Sequence, residues 1–166
     1  MKSVLETDRL ALRELTTADA AHFYQLNLNP NVMRYTGDDA FDSVDDAHTF
    51  LANYSDYERN GYGRWAVIRK EDNAFLGWCG LKYNADIDKT DIGFRFYEEH
   101  WNMGYATESA KACLEYGFTT LGLHCIIGRA MKENIASIKV LEKIELVYEN
   151  DFDFDEHIGV LYVIAQ

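Results

Sequence analysis

The sequence predicts a mixed α/β fold, and three observations carry that expectation. Short stretches alternate apolar and polar residues, whereas longer ones repeat apolar residues at helical spacing. The two kinds follow one another in the order β-αα-βββ-α-β-α-ββ. Strand, helix and strand over Thr90–Ala130 suggest a parallel crossover, while neighbouring strands joined by short turns demand antiparallel pairs. A mixed sheet with helices on both faces accommodates all three.

Arg9–Glu14 alternates as a half-buried strand does. Thr17 and Asp19 open a first helix with Phe23 and Leu26 on one side, ending near Pro30. Ser43-Val-Asp-Asp46 is a capping-box variant that should start a second helix carrying Phe50, Leu51 and Tyr54. After Gly61 and Gly63 come strands at Trp65–Lys70 and Phe75–Tyr83, joined by the turn Glu71-Asp-Asn73. A further strand covers about Thr90–Tyr97. The third helix runs from Tyr105 to about Thr120, before Gly122. Leu123–Ala130 reads as a buried strand, Asn134–Lys143 as a fourth helix, and Val147–Phe152 with Ile158–Ile164 as a terminal hairpin.

The 166 residues fit a single domain, 1–166, with one proline and no linker-like tract. The N-terminus carries no apolar run of signal-peptide length, and no stretch approaches a membrane span. Cys79, Cys113 and Cys125 are odd in number and scattered, which suits a reducing, cytoplasmic compartment better than a disulfide framework. Neither they nor the 5 histidines show metal-ligand spacing, so no metal is expected. A net charge of −12 argues against nucleic acid. It suits a cationic partner or plain solubility, and the sequence leaves a monomer or a homodimer equally open.

The chemistry concentrates where the strand at Ile92 runs through a loop to Gly104, at the start of the third helix. Amides at a helix N-terminus lack helical partners and sit at the positive end of the dipole. A glycine there lets a phosphate approach the main chain, so an anion cradle needs no basic side chain. The loop is neither a dinucleotide fingerprint nor a nucleotide-hydrolase P-loop.

Trp101-Asn-Met-Gly-Tyr-Ala-Thr-Glu-Ser-Ala110 resembles the WGxGYATEA signature of the RimJ/RimL-like branch of the GNAT acetyltransferases. Glu6–Arg13 resembles that branch's TERLxLR start, Asp91-Ile-Gly-Phe94 its EIGY strand, and Asn134–Lys143 its NxxSxxxLEK helix. The matches fall in order along nearly the whole chain. Asn102 stands for the signature's first glycine, Met103 for a polar or basic residue, and Glu145-Leu146 for Gly-Phe.

The resemblance implies a splayed mixed sheet and acetyl-coenzyme A as co-substrate. Pantetheine would lie between the strands at Thr90–Tyr97 and Leu123–Ala130, against main-chain groups of Phe94, Arg95 and Phe96. Amides of Met103, Gly104, Tyr105, Ala106 and Thr107 would hold the pyrophosphate, with Asn134 touching the coenzyme from the fourth helix. The acceptor would be a primary amine on a protein N-terminus, a peptide or a small molecule. A non-catalytic acyl-CoA-binding or regulatory module on the same fold is the alternative.

Acetyl transfer requires a neutral amine. At pH 7 a lysine amine of pKa ~10.4 lacks roughly 4–5 kcal/mol of that state, and an α-amino group only about 1 kcal/mol. The tyrosine acid of many relatives would fall at Leu141, which excludes it here. Ser137, one turn after Asn134, is the candidate acid toward the leaving sulfur; the other reading is a helix serine bonded to its own backbone. Asp91 is the candidate base, with a water chain ending at a carboxylate as the alternative. Tyr35, Trp65, Trp78 and Tyr83 are candidates for the acceptor pocket, although strand aromatics also build cores. Asp38, Asp39, Asp42, Asp45 and Asp46 form either a negative rim for a cationic amine or a solvated helix start.

Overall fold

The computed structural model describes residues 2–166. Its strands are β1 (Leu5–Glu6), β2 (Leu10–Glu14), β3 (Arg64–Arg69), β4 (Phe75–Asn84), β5 (Lys89–Phe96), β6 (Cys125–Met131), β7 (Val147–Phe154) and β8 (His157–Ala165). They form one sheet in the order β1-β2-β3-β4-β5-β6-β8-β7. Its helices are α1 (Ala20–Leu26), α2 (Pro30–Met33), α3 (Val44–Ala52), α4 (Asp56–Asn60), α5 (Tyr105–Thr119) and α6 (Ile135–Lys143).

Local chemistry sets the boundaries. Thr16 and Asp19 form a reciprocal capping box on a 3-10 turn leading into α1. The Ser43 hydroxyl accepts from the Asp46 amide at 3.1 Å and starts α3. That helix ends at Ala52, one residue before its Asn53 cap, so Tyr54 lies beyond it. There the Tyr54 hydroxyl accepts from the Arg64 amide at 2.7 Å.

Alternation along β3 divides the core between the two faces. Trp65 and Val67 join Cys79, Leu81, Cys113 and Ile126 beneath α5. Ala66 joins Phe23, Ala47 and Leu51 of α1 and α3 on the opposite side. Trp65 is 1% exposed, its ring packed edge-on to Tyr116. It is a core residue and does not line the acceptor pocket.

All neighbouring strands are antiparallel except β5 and β6, which the α5 crossover makes parallel. That junction shapes the site. β5 stays paired with β4 through Phe96, yet meets β6 at the single position Asp91↔Ile127. Beyond it the two strands diverge, and the edge of β5 from Ile92 onward has no strand beside it.

Candidate active site

A cavity of about 1170 Å³ lies along this opening. Its wall includes Phe94, Arg95 and Phe96 of β5, Gly104–Thr107 at the start of α5, and Asn134 and Ser137 of α6. The expected coenzyme residues thus converge, apart from Met103. The Met103 side chain is 49% exposed and outside the cavity wall, so only its main chain remains for a ligand. The Phe96 carbonyl already accepts from the Trp101 indole at 3.0 Å.

Gly104 is the N-cap of α5 at φ +81, a left-handed conformation that favours glycine. No side chain caps this end, and the first helical bond is Glu108 N–H to the Gly104 carbonyl at 3.0 Å. Among the described residues, the amides of 103–107 make no hydrogen bond outside the helix ladder. They fit a diphosphate, and the bare edge of β5 fits an extended chain of amides.

A basic side chain also stands here, which the sequence reasoning missed. Arg9 lies over the Tyr105 ring at 4.4 Å, and a Cβ on Gly104 would meet its Nη2 at 3.3 Å. Its Nε donates to Glu108 Oε1 at 2.8 Å, while Glu108 Oε2 accepts from Thr7 Oγ1 at 2.5 Å. Burial raises the Glu108 pKa, but these donors outweigh it and the carboxyl stays below its ordinary range. The signal was available: the resemblance includes both Arg9 and Glu108, one in each of two separate motifs.

Asn134 caps α6. Its Oδ1 accepts from the Ser137 amide at 3.3 Å, and its Nδ2 donates to Ser137 Oγ at 2.9 Å. Ser137 therefore receives a hydrogen bond at oxygen, and its own O–H has no acceptor among the described residues. The backbone-bonded alternative does not occur. Leu141 is 2% exposed, and its Cδ2 lies 2.6 Å from where a Cβ on Gly128 would be.

Asp91 is less suited to act as a base. It is 6% exposed, with Oδ1 taking Arg64 Nη2 at 2.7 Å. Oδ2 takes Arg129 Nη2 and Asn84 Nδ2, each at 3.0 Å. Burial opposes its charge, but Arg64, Asn84 and Arg129 prevail and hold its pKa below the ordinary value. A carboxylate with both oxygens engaged and a lowered pKa is a weak proton acceptor, which corrects the expectation. Gly93 makes this arrangement possible, since a Cβ there would approach Arg64 Nη2 to 2.7 Å.

Of the acceptor candidates, the three on strands separate by parity. Trp78 lines the cavity between the guanidinium carbons of Arg64 and Arg95, each 5.3 Å from its ring centre. Tyr35 also lines it, beneath Arg34 at 5.1 Å. Tyr83 lies outside the cavity wall and donates to Asp88 at 2.6 Å, stabilising the β4–β5 turn. Of the acidic cluster, Asp38 pairs with Arg95 at 2.8 Å, and Asp45 and Asp46 occupy the exposed first turn of α3. Cys79 is fully buried, with its sulfur 3.8 Å from that of Cys113.

Splayed strands, open amides at a helix start and a cavity joining them are the parts an acyltransferase site requires. Residues 9–147 match the family model for the acetyltransferase (GNAT) domain, and the chain belongs to that family of N-acetyltransferases. It is 31% identical to an uncharacterized N-acetyltransferase, YoaA, of Bacillus subtilis, over 95% of this chain and 96% of that one. A GNAT-family acetyltransferase structure from Bacillus anthracis superposes with a TM-score of 0.86 at 26% identity, covering 97% of each chain. A spermidine N-acetyltransferase from Vibrio cholerae, solved with CoA and spermine, shares the fold. Its TM-score is 0.81 at 23% identity, over 96% of this chain and 97% of that one. Among the described residues, no helix is long and apolar enough to cross a membrane, and no cluster has the makings of a metal site.

Proposed function

We propose that the chain is a single-domain, cytoplasmic amine N-acetyltransferase of the RimJ/RimL-like branch, with acetyl-CoA as donor and a primary amine as acceptor in a ternary complex. One observation carries the reading: the unengaged amides of 103–107 and the unpaired edge of β5 open onto the same cavity. The three free cysteines agree with a reducing compartment. The coenzyme, when bound, supplies an activated thioester.

The residues of the chain do the rest. Amides of 103–107 hold the diphosphate at the positive end of α5, and Arg9 adds a formal charge beside them. Main-chain groups of Phe94 and Arg95 align the pantetheine. The Ser137 hydroxyl, oriented by Asn134, donates its proton toward the leaving sulfur. Asp91 keeps Arg64 and Arg129 in place, and the proton of the attacking amine leaves through water in the open cavity.

Acetyl-CoA at roughly a hundredfold excess over its Kd is expected to raise Tm by about 5–10 °C. Adding an acceptor amine should then release free CoA. The absence of any shift at saturating coenzyme would remove the proposal. A shift without turnover across a broad amine panel would point to the binding module.

A further inference from the structure

The acceptor half of the cavity lies on the sheet face opposite α5. Lys82 stands directly across from Asp91 in the β4–β5 ladder, so their side chains share that face. Arg64 and Arg129 join them there, since both guanidinium groups bond to Asp91. Three cations thus surround one carboxylate whose two oxygens are already taken. Arg95 also lines this wall, but Asp38 balances it.

The surplus charge is available to a ligand. Of the Arg129 donors only Nη2 is engaged, with Asn84 and Asp91, and the side chain is 34% exposed. Lys82 forms no ion pair among the described residues, and both side chains line the cavity. A local excess of positive charge is unexpected in a protein of net charge −12. At the tip of the β7–β8 hairpin, Asp153 and Asp155 line the same cavity. The chamber is therefore dipolar, with a cationic floor and an acidic lip.

We infer that the acceptor amine also bears an anionic group, in the simplest case the carboxylate of an amino acid, which rests on Arg129 and Lys82. This deepens the acetyl-transfer reading and depends on it. The free Nη1 and Nε of Arg129 and the Lys82 ammonium each offer a charge-assisted hydrogen bond, which a carboxylate accepts more strongly than an uncharged amide does. A polyamine offers the floor only charges of its own sign. The carboxylate fixes one end of the acceptor and leaves its amine free to turn toward the thioester.

The test compares amino acids with their own carboxamides and with a polyamine, all at saturating acetyl-CoA. Binding of each acceptor to the CoA-loaded enzyme is measured by calorimetry alongside kcat/KM. The carboxylate form is expected to be favoured about tenfold to a hundredfold. Arg129→Gln should erase that preference by raising KM for the carboxylate form alone, with acetyl-CoA Kd unchanged. Asp91 keeps Arg64 and Asn84 in that variant, and Arg129→Lys should recover part of the preference. Equal use of the carboxamide or the polyamine would overturn the inference while leaving acetyl transfer intact. A weaker acetyl-CoA Kd in Arg129→Gln would also overturn it, by assigning the cation to a coenzyme phosphate. Failure to bind acetyl-CoA at all would instead defeat the functional reading beneath it.

Discussion

At Ser137, one hydroxyl separates positioning from chemistry. Asn134 fills its oxygen side and leaves its proton to point elsewhere, so loss of the hydroxyl removes a donor without uncapping α6. Ser137→Ala is expected to lower kcat by about a hundredfold, with acetyl-CoA Kd within about twofold of the parent. Steady-state kinetics and calorimetry on the same preparations check this, and an unchanged kcat would end the acid assignment. The residue pair was legible in the sequence because a helical period places positions 134 and 137 together. The setting of Asp91 was not. Its partners Arg64 and Arg129 lie 27 and 38 residues away, and only the sheet brings them to it. Trp65 and Trp78 illustrate the same limit: both sit in central strands with apolar residues on both faces, so alternation alone does not tell pocket from core.

Among the elements, α5 and the crossover it completes were readable from their glycine, their period and their length. The short pieces β1, α2 and α4 were not, spanning 2, 4 and 5 residues. Segments that short do not hold a conformation by propensity, so tertiary contacts decide them. The link between the β1–β2 turn and α5 was not legible either, although it bears on function. Thr7 and Arg9 clamp Glu108 in the first turn of α5, and the remaining Arg9 donors stand beside the open amides. Arg9→Gln is expected to weaken acetyl-CoA binding about fivefold to tenfold at low salt, with the difference shrinking as ionic strength rises. Titrations at several salt concentrations separate this from a purely structural clamp. A fall in Tm with the same Kd and salt slope as the parent would assign Arg9 to structure alone.

Over the whole molecule, acidity and cationic site work against each other, and pH exposes the balance. The sequence announced the net charge but not its partition, which leaves most carboxylates in solvent and sets Arg64, Lys82 and Arg129 together on the cavity wall. Asp91 and Glu108 have lowered pKa values in the fold, so the unfolded chain binds their protons first. Their stabilisation is fully present above the unfolded carboxylate range of about 4 and is lost as pH falls through the folded values. Between neutrality and about pH 5, relief of self-repulsion opposes any loss, so Tm should hold nearly level before dropping below about pH 4. Asp91→Asn leaves two guanidinium groups without their counter-ion, and is expected to lower Tm at pH 7 by about 10 °C. The same substitution should flatten the acid limb, because no proton need enter at that site. A variant whose Tm profile runs parallel to the parent's from pH 7 to 3 would show that Asp91 does not anchor the floor electrostatically. The arginines would then owe their placement to packing against Trp78 and the strands.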